Sequence, residues 1–342
     1  MISSIPIPNE AQDFNAKIKS LAYFYAQIKL DMKYLKIALI ISIVAAIGYL
    51  YLFIPTHIKV SNFTESKSPE LRVLRLIDNH TLLTKSVGKY YDSASKIITI
   101  DNVEFTLNNA LSNMIQINVH TDRLQLKSYI TVNSVTKETS TISWFCDFQT
   151  TYNPLQRWLD YNEAVKIKKA SATLIKHINE FVQQPANVYG FDIKEITLKD
   201  TILISTKFTS KSMPTNEEIY KAAKELTAYL KSYNKTALEN PMVTVLENNT
   251  NDFTVMVGIS IDGEIPANDK FTIKKMPVFG KMFVTDVTGN QSTIRNGYAA
   301  VKLFLLDSKR PTPAVPFELL INDRQSVIDS TQWKTRIFYP VM

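Results

Sequence analysis

The sequence predicts an α+β protein with one N-terminal transmembrane helix and two soluble domains. Residues 37–54 contain no charged side chain, and residues 115–148 alternate apolar and polar positions before a long helical pattern. The order strand, helix, strand, strand then occurs twice, in residues 199–262 and 280–341. A chain of 342 residues also exceeds one domain of about 100–200 residues, so it can form two cores.

The first element is the uncharged segment "IALIISIVAAIGYLYLFI", residues 37–54. At about 1.5 Å of rise per residue it spans about 27 Å, close to the thickness of a hydrocarbon core. Tyr49 and Tyr51 stand toward one end, where interfacial rings are favoured, and Pro55 ends the helix. A cleaved signal peptide is disfavoured because no small-residue cleavage site follows. A buried core helix is disfavoured because the segment has no polar face.

Residues 1–36 are predicted to be a cytoplasmic amphipathic segment. Apolar residues recur there at helical spacing from Phe14 to Leu35, so the membrane helix is expected to extend backward. The segment can lie on the bilayer or pair with a partner, and both options stay open. Lysines cluster before the span, whereas lysines and glutamates mix after it, which favours a single-pass protein of the cell membrane with extracytoplasmic C-terminal domains.

The first soluble domain is predicted in residues 56–190. A strand leads into a short helix that Ser68 is placed to cap, and alternating strands place Ile142, Trp144 and Cys146 on one face. A long helix from about Tyr161 to Val182 follows. This order resembles that of START-like (SRPBCC, polyketide-cyclase-like) helix-grip domains, and the resemblance implies a helix lying across a curved sheet. It leaves open whether a lipid-like cargo or a closed core lies between them.

The second soluble domain is predicted in residues 191–342 as a duplicated β-α-β-β unit. Thr215 and Glu218 have the spacing of a capping box, so the first helix is expected to begin there. The stretches "MPTNEEIYKAAKELTAYL", "DFTVMVGISI", "PFELLINDR" and "WKTRIFYPV" resemble the gyrase-inhibitor-like (GyrI-like) effector-binding domain of bacterial multidrug-responsive activators. The internal duplication predicts a groove where the two copies meet, a common place for a ligand.

The resemblance implies a ligand-binding glutamate in the penultimate strand, and Glu318 has that position here. A poorly hydrated carboxylate among rings can attract a lipophilic cation through charge and cation–π contact. Tyr298, Trp333 and Tyr339 are the candidate rings. The alternatives are an exposed Glu318 or one paired with an arginine, either Arg324 or Arg336. Leu320 departs from the family, which commonly has an aromatic residue there.

Several function classes are disfavoured by what the sequence lacks. The net charge of +7 is spread along the chain and no helix-turn-helix precedes the second domain, so no nucleic-acid partner is expected. Cys146 is the only cysteine and the four histidines stand apart, so neither a metal site nor a cofactor is expected.

These observations favour a bacterial membrane-tethered protein that binds or senses a small hydrophobic molecule, with or without a positive charge, and is not catalytic. One alternative is a hydrolase or cyclase-type enzyme acting on a small hydrophobic substrate, with Glu318 and Tyr339 as acid and base. Another is a structural tether whose pockets are closed. The sequence identifies no protein partner.

Overall fold

A computed structural model describes residues 10–111, 114–198, 202–248, 252–276 and 280–342. The fold is α+β, with two antiparallel sheets and an apolar helix near the N-terminus. The first nine residues of the predicted cytoplasmic segment lie outside the described residues.

The N-terminal helix α1 runs without interruption through Glu10–Phe53, which confirms that the apolar helix extends backward. Its part Met32–Phe53 is long and apolar enough to cross a membrane, by length and composition. The end of α1 is fastened to the part of the chain that follows it. Arg157 donates a hydrogen bond to the Ile54 carbonyl and lies over the Tyr51 ring, whose hydroxyl donates to the carbonyl of Tyr152.

The first sheet has the strand order β1-β7-β6-β5-β4-β3-β2 and every pairing is antiparallel. Its strands are β1 (His57–Ser66), β2 (Tyr91–Asp92), β3 (Ile97–Ile100), β4 (Val103–Leu111), β5 (Met114–His120), β6 (Gln125–Ser134) and β7 (Ser140–Gln149). The helices that accompany it are α2 (Glu70–Asp78), α3 (His80–Val87), α4 (Pro154–Val182) and α5 (Pro185–Tyr189).

The long helix α4 begins seven residues earlier than the predicted Tyr161, at Pro154. Asn153 supplies the start signal, because its side chain accepts hydrogen bonds from two backbone amides of the first turn. Buried apolar side chains of α4 and of the sheet belong to one core, among them Ile130, Ile142, Trp144, Ile167, Leu174 and Ile178. Protein side chains therefore fill these positions, as the closed-core alternative expects.

The predicted cap at Ser68 is wrong. Pro69 precedes α2 and no side chain caps that helix. The Ser68 hydroxyl instead donates to the carbonyl of Val182, at 3.1 Å. The last carbonyls of a helix lack intrahelical donors. The Ser68 hydroxyl donates to such a carbonyl at the end of α4, and therefore it does not cap α2 as its position in the sequence predicted.

The second sheet has the strand order β12-β9-β11-β10-β14-β15-β13-β8, again antiparallel throughout. Its strands are β8 (Lys194–Thr197), β9 (Ile202–Ser210), β10 (Met242–Glu247), β11 (Phe253–Ile261), β12 (Thr272–Lys275), β13 (Lys281–Thr288), β14 (Phe317–Leu320) and β15 (Lys334–Val341). Its helices are α6 (Asn216–Ser232) and α7 (Gln291–Asp307). The capping box of Thr215 and Glu218 at the start of α6 is confirmed.

The helices α6 and α7 pack on one face of the second sheet, α6 on β9 and β11 and α7 on β13 and β15. Leu226 and Leu230 of α6 share a buried cluster with Val243 and Leu320 of the strands. We call this side the helix-covered face and the opposite side the open face. The distinction matters because neighbouring residues of one strand point to opposite faces.

The two sheets are linked through a polar cluster between α2, α5 and α7. Arg75 donates two hydrogen bonds to the Asp307 carboxylate, at 2.8 and 2.7 Å, and the Tyr189 hydroxyl donates a third, at 2.8 Å. Arg72 lies over the Phe304 ring, 4.6 Å from its centroid. Asp307 is 2% exposed, so its charge is balanced inside the junction rather than by water.

Candidate functional site

Strand register places Glu318 on the helix-covered face. Val243 of β10 is paired with Glu318 of β14, and Val243 belongs to the core that α6 covers. Met242 is paired with Leu319, and these two residues point to the open face because side chains alternate along a strand. The carboxylate and the open face therefore lie on opposite sides of the same two strands.

Glu318 is buried and paired with an arginine. Arg324 donates from Nη2 to Glu318 Oε2 at 3.0 Å and to Thr335 Oγ1 at 2.6 Å. The two charged residues are 7% and 6% exposed. Of the predicted alternatives, the structure contains the pair with Arg324, whereas Arg336 binds Asp286 at 2.7 Å.

Burial raises the pKa of the Glu318 carboxyl, and the Arg324 guanidinium offsets part of that rise through charge and a hydrogen bond. The pKa of Tyr298 is also raised, first by burial and then by the nearby charge of Glu318. Burial likewise raises the pKa of Tyr339. Both phenols therefore keep their protons near neutral pH.

The predicted rings are divided between two contacts. Trp333 lies against Arg324, whose guanidinium carbon is 5.1 Å from the ring centroid, and the indole N–H donates to the Val327 carbonyl at 3.0 Å. Tyr298 and Tyr339 meet edge to face, with ring centroids 5.9 Å apart. Arg324 thus stands between a carboxylate and an aromatic ring, the surroundings that were predicted for a ligand cation.

A cavity of about 550 Å³ opens on the other side of the sheet, and we call it the open-face groove. It is lined mainly by apolar side chains from strands of both halves of the sheet and by the segment before β14. Its lining residues are Leu198, Leu203, Ser205, Met242, Thr244, Met256, Gly258, Lys274, Met276, Gly280, Lys281, Met282, Pro313, Ala314, Val315, Phe317, Pro340 and Val341. None of these lining residues belongs to a helix, so the groove is accessible where helices cover the opposite face.

The groove residues were not predicted as a site. A signal for them is present in β14, "FELL", where Phe317 and Leu319 alternate with Glu318 and Leu320. Apolar residues on both faces of a short strand indicate that both faces have something to contact. Phe317 lines the groove and stacks on Phe338, with ring centroids 4.8 Å apart.

Among the described residues, no group of three or more His, Cys, Asp or Glu side chains is arranged to hold a metal ion. The arrangement on the helix-covered face can hold charge in a dry environment. The arrangement on the open face can bury an apolar ligand.

A scan against family models finds no match, and neither does a comparison with curated proteins. Among solved structures, the chain is similar to EcmrR in a DNA complex, with 14% identity and a TM-score of 0.40, over 56% of this chain and 72% of that chain. It is also similar to SAV2435 bound to tetraphenylphosphonium, with 14% identity and a TM-score of 0.32, over 44% of this chain and 93% of that chain.

A START superfamily protein from Mycobacterium smegmatis is a further neighbour, at 8% identity and a TM-score of 0.23, over 35% of this chain and 98% of that chain. The neighbours thus include both an effector-binding domain and a START fold. At these identities and TM-scores, the ligand chemistry of this chain has to be inferred from its own side chains.

The prediction that excluded a nucleic-acid partner is wrong. EcmrR, a neighbour among solved structures, was solved bound to DNA. The exclusion relied on the spread of lysines and arginines along the sequence. A linear distribution of charge does not tell which charges the fold brings together, and therefore it excludes no partner.

Proposed function

We propose that this protein is a membrane-tethered, non-catalytic binding protein that captures a small hydrophobic molecule. In this proposal α1 spans a bacterial cell membrane once, with residues 1–36 in the cytoplasm and residues 56–190 and 191–342 on the other side. The length and composition of α1 support the span. The mixture of charges after the span supports the orientation.

We further propose that the second unit arose by duplication. Two stretches follow the same order, β9-α6-β10-β11 and β13-α7-β14-β15. Outward from the junction of β10 and β14, the sheet reads β10, β11, β9 on one side and β14, β15, β13 on the other. This mirrored order supports a pseudo-twofold relation, with the open-face groove crossing the junction.

The observation that carries the binding function is the open-face groove. Its volume of about 550 Å³ falls within the range of about 300–1,000 Å³ that is typical of small-molecule sites. Four methionines line it, Met242, Met256, Met276 and Met282, and flexible thioethers adapt to ligands of irregular shape. An apolar ligand that enters the groove removes this surface from water, which favours binding.

A neutral fluorophore tests this function. Phenylnaphthylamine, which becomes bright in apolar sites, is titrated into the full chain in a nonionic maltoside detergent. We expect saturable binding that disappears in Gly258→Phe, because a ring at Gly258 fills the groove. The nearest heavy atom to an added Cβ there would be 3.6 Å away, so the first side-chain atom fits without a clash.

The matched control is Thr209→Leu. Thr209 and Ser205 lie on the same face of β9, but Thr209 is exposed and lies outside the groove. Binding should therefore persist in this variant, and the detergent background is common to all samples. Equal fluorescence from the wild type and Gly258→Phe would contradict a binding role for the groove.

A second ligand site, for a lipophilic cation, is proposed at Glu318 with Tyr298, Trp333 and Tyr339. The observation that favours it is the position of Arg324 between Glu318 and the Trp333 ring. A ligand cation can take this place only when Arg324 leaves. Tetraphenylphosphonium should therefore quench Trp333 fluorescence more strongly in Arg324→Gln than in the wild type, and not in the double variant Arg324→Gln with Glu318→Gln.

The hydrolase or cyclase-type alternative stays a prediction. The raised pKa of Glu318 is the observation that favours it, since a carboxylic acid in a dry site can transfer a proton. Turnover of small hydrophobic esters by the wild type, lost in Glu318→Gln at unchanged folding, would establish this alternative over the binding function.

A further inference from the structure

The charged side chains that line the open-face groove all carry the same sign. Lys274 and Lys281 are the charged members among the lining residues described, and no carboxylate is included. The carboxylate of the predicted site, Glu318, lies on the opposite face of the sheet and is neutralised there by Arg324. Among its described lining residues, the groove therefore offers a ligand positive charge and no negative charge.

The two lysines differ in how their charges are balanced. Lys281 forms an ion pair with Glu195 at 2.6 Å, and Glu195 forms a second ion pair with Arg310 at 3.2 Å. Lys274 donates instead to the thioether sulfur of Met256, at 3.6 Å, a weak acceptor without charge. Within the described part of the chain, no carboxylate lies at ion-pair distance from Lys274. Of the two lysines in the described lining, Lys274 is therefore the one whose ammonium group is available to a ligand.

The position of Lys274 joins this charge to the apolar surface. Lys274 on β12 is paired with Leu203 of β9, and both residues line the groove. Its exposed ammonium group stands at the rim, whereas Leu203 and Met282 are buried below. A ligand with an apolar chain inside the groove and an anionic group at the rim would contact the apolar lining and pair with the Lys274 ammonium group. A cationic ligand would bring a second positive charge to Lys274 without a counterion.

We propose that the open-face groove binds a single-chain anionic amphiphile of the fatty-acid type, with the carboxylate held by Lys274 and the chain lying among the methionines. This inference rests on the proposed binding function of the groove and adds the charge class of the ligand. It assigns to the open face a ligand opposite in charge to the one predicted for Glu318.

Three probes with the same chain and different head groups test the charge class. Dodecanoate, dodecanol and dodecyltrimethylammonium compete with phenylnaphthylamine on the full chain in a nonionic maltoside detergent. We expect dodecanoate to displace the fluorophore at a concentration about tenfold lower than the other two, the scale of one charge-assisted hydrogen bond. The difference should vanish in Lys274→Gln.

The matched control for charge is Lys275→Gln. Lys275 is the next residue of β12, lies outside the groove lining and is paired with Glu264. The Lys275→Gln variant loses the same charge from the same strand. The preference for dodecanoate should therefore persist in this variant. A loss of the preference in both variants would mean that net charge, and not a contact at Lys274, attracts the anion.

The outcomes separate this inference from the proposed function. If phenylnaphthylamine does not bind, the groove is not a ligand site and both fail. If it binds but the three probes compete equally, the groove binds apolar molecules and the anionic class is wrong. A preference for dodecanoate that survives in Lys274→Gln would overturn the assignment of the head-group contact to Lys274.

Discussion

On the helix-covered face of the second sheet, a buried carboxylate meets a buried guanidinium, whereas on the open face a lysine stands at the rim of an apolar groove. Arg324 of the pair lies against the Trp333 ring, and Lys274 lies at a groove lined mainly by apolar side chains. The charges of Glu318 and Arg324 balance each other without a ligand, at 3.0 Å and almost out of contact with water. Among the described residues, the Lys274 ammonium group donates to a methionine sulfur and forms no ion pair. A charge beside apolar side chains indicates a ligand only when the protein leaves that charge unbalanced.

The largest effect on stability is expected from Arg324→Met, which removes the cation of the buried pair on the helix-covered face. It leaves the Glu318 carboxyl buried without its cation, and the free energy of unfolding should fall by about 3–5 kcal/mol near neutral pH. Denaturant unfolding of the full chain in detergent measures the loss. The double variant Arg324→Met with Glu318→Leu removes both charges, and most of the stability should return.

The same variant has a pH signature. Burial alone then acts on Glu318 and keeps its folded pKa above the unfolded value of about 4.3. A raised pKa stabilises the fold fully below the unfolded value, and the stabilisation is lost as pH rises through the folded pKa. The deficit relative to the wild type should therefore shrink toward about pH 4. A deficit independent of pH would mean that lost packing, and not the buried charge, is responsible.

Asp307→Asn should have the next largest effect and tests whether balanced burial also holds the two units together. It removes the charge that accepts two hydrogen bonds from Arg75 and one from Tyr189, and the free energy of unfolding should fall by about 2 kcal/mol. Asp286→Asn is the control, because its pair with Arg336 is exposed to solvent and should contribute less than about 1 kcal/mol. Equal losses would argue against a special role for the junction.

Lys274→Glu reverses the charge at the rim of the open-face groove and tests the unbalanced side of the comparison. Reversal of the charge at residue 274 should weaken the binding of dodecanoate and strengthen the binding of dodecyltrimethylammonium, each by about tenfold. The residue is exposed, so the unfolding transition should stay where it is in the wild type. Competition against phenylnaphthylamine reads the change, and unchanged affinities for both ions would place the head group elsewhere.

Tyr339→Phe is expected to have the smallest effect. It removes a 3.4 Å hydrogen bond from the Tyr339 hydroxyl to the Tyr298 carbonyl and keeps the ring contact, so the free energy of unfolding should change by less than about 1 kcal/mol. Phenylnaphthylamine binding should stay the same, because the lining of the open-face groove does not include Tyr339. A clear loss of binding would show that the two faces communicate.

The sequence predicted most elements because their signals are local. Strand alternation around Trp144, the capping box at Thr215 and the charge-free run before Pro55 each operate within a few residues. The start of α4 was missed although its signal is local, because Asn153 accepts hydrogen bonds from the backbone amides of Leu155 and Gln156. The partner of Ser68 was missed because its hydroxyl donates to the carbonyl of Val182, a tertiary contact that local spacing does not show.

The site was predictable only in part for the same reason. Glu318 is recognisable as a carboxylate in an apolar strand, and its partner Arg324 is only six residues away. The open-face groove depends on the pairing of β10 with β14 and on which face the helices leave uncovered. Neither follows from the spacing of Met242, Met256 and Met282 along the chain, because only register places them on one surface.

The short junction after α1 has a mechanical consequence. Only three residues separate Phe53 from His57, and Ile54 among them is part of the buried core. Arg157 of α4 donates to the Ile54 carbonyl, and the Tyr51 hydroxyl donates to the carbonyl of Tyr152 just before α4. A tilt or twist of α1 therefore acts on α4 and the first sheet and is not absorbed by a flexible linker. Through Arg75 and Asp307 the same torque reaches the second sheet.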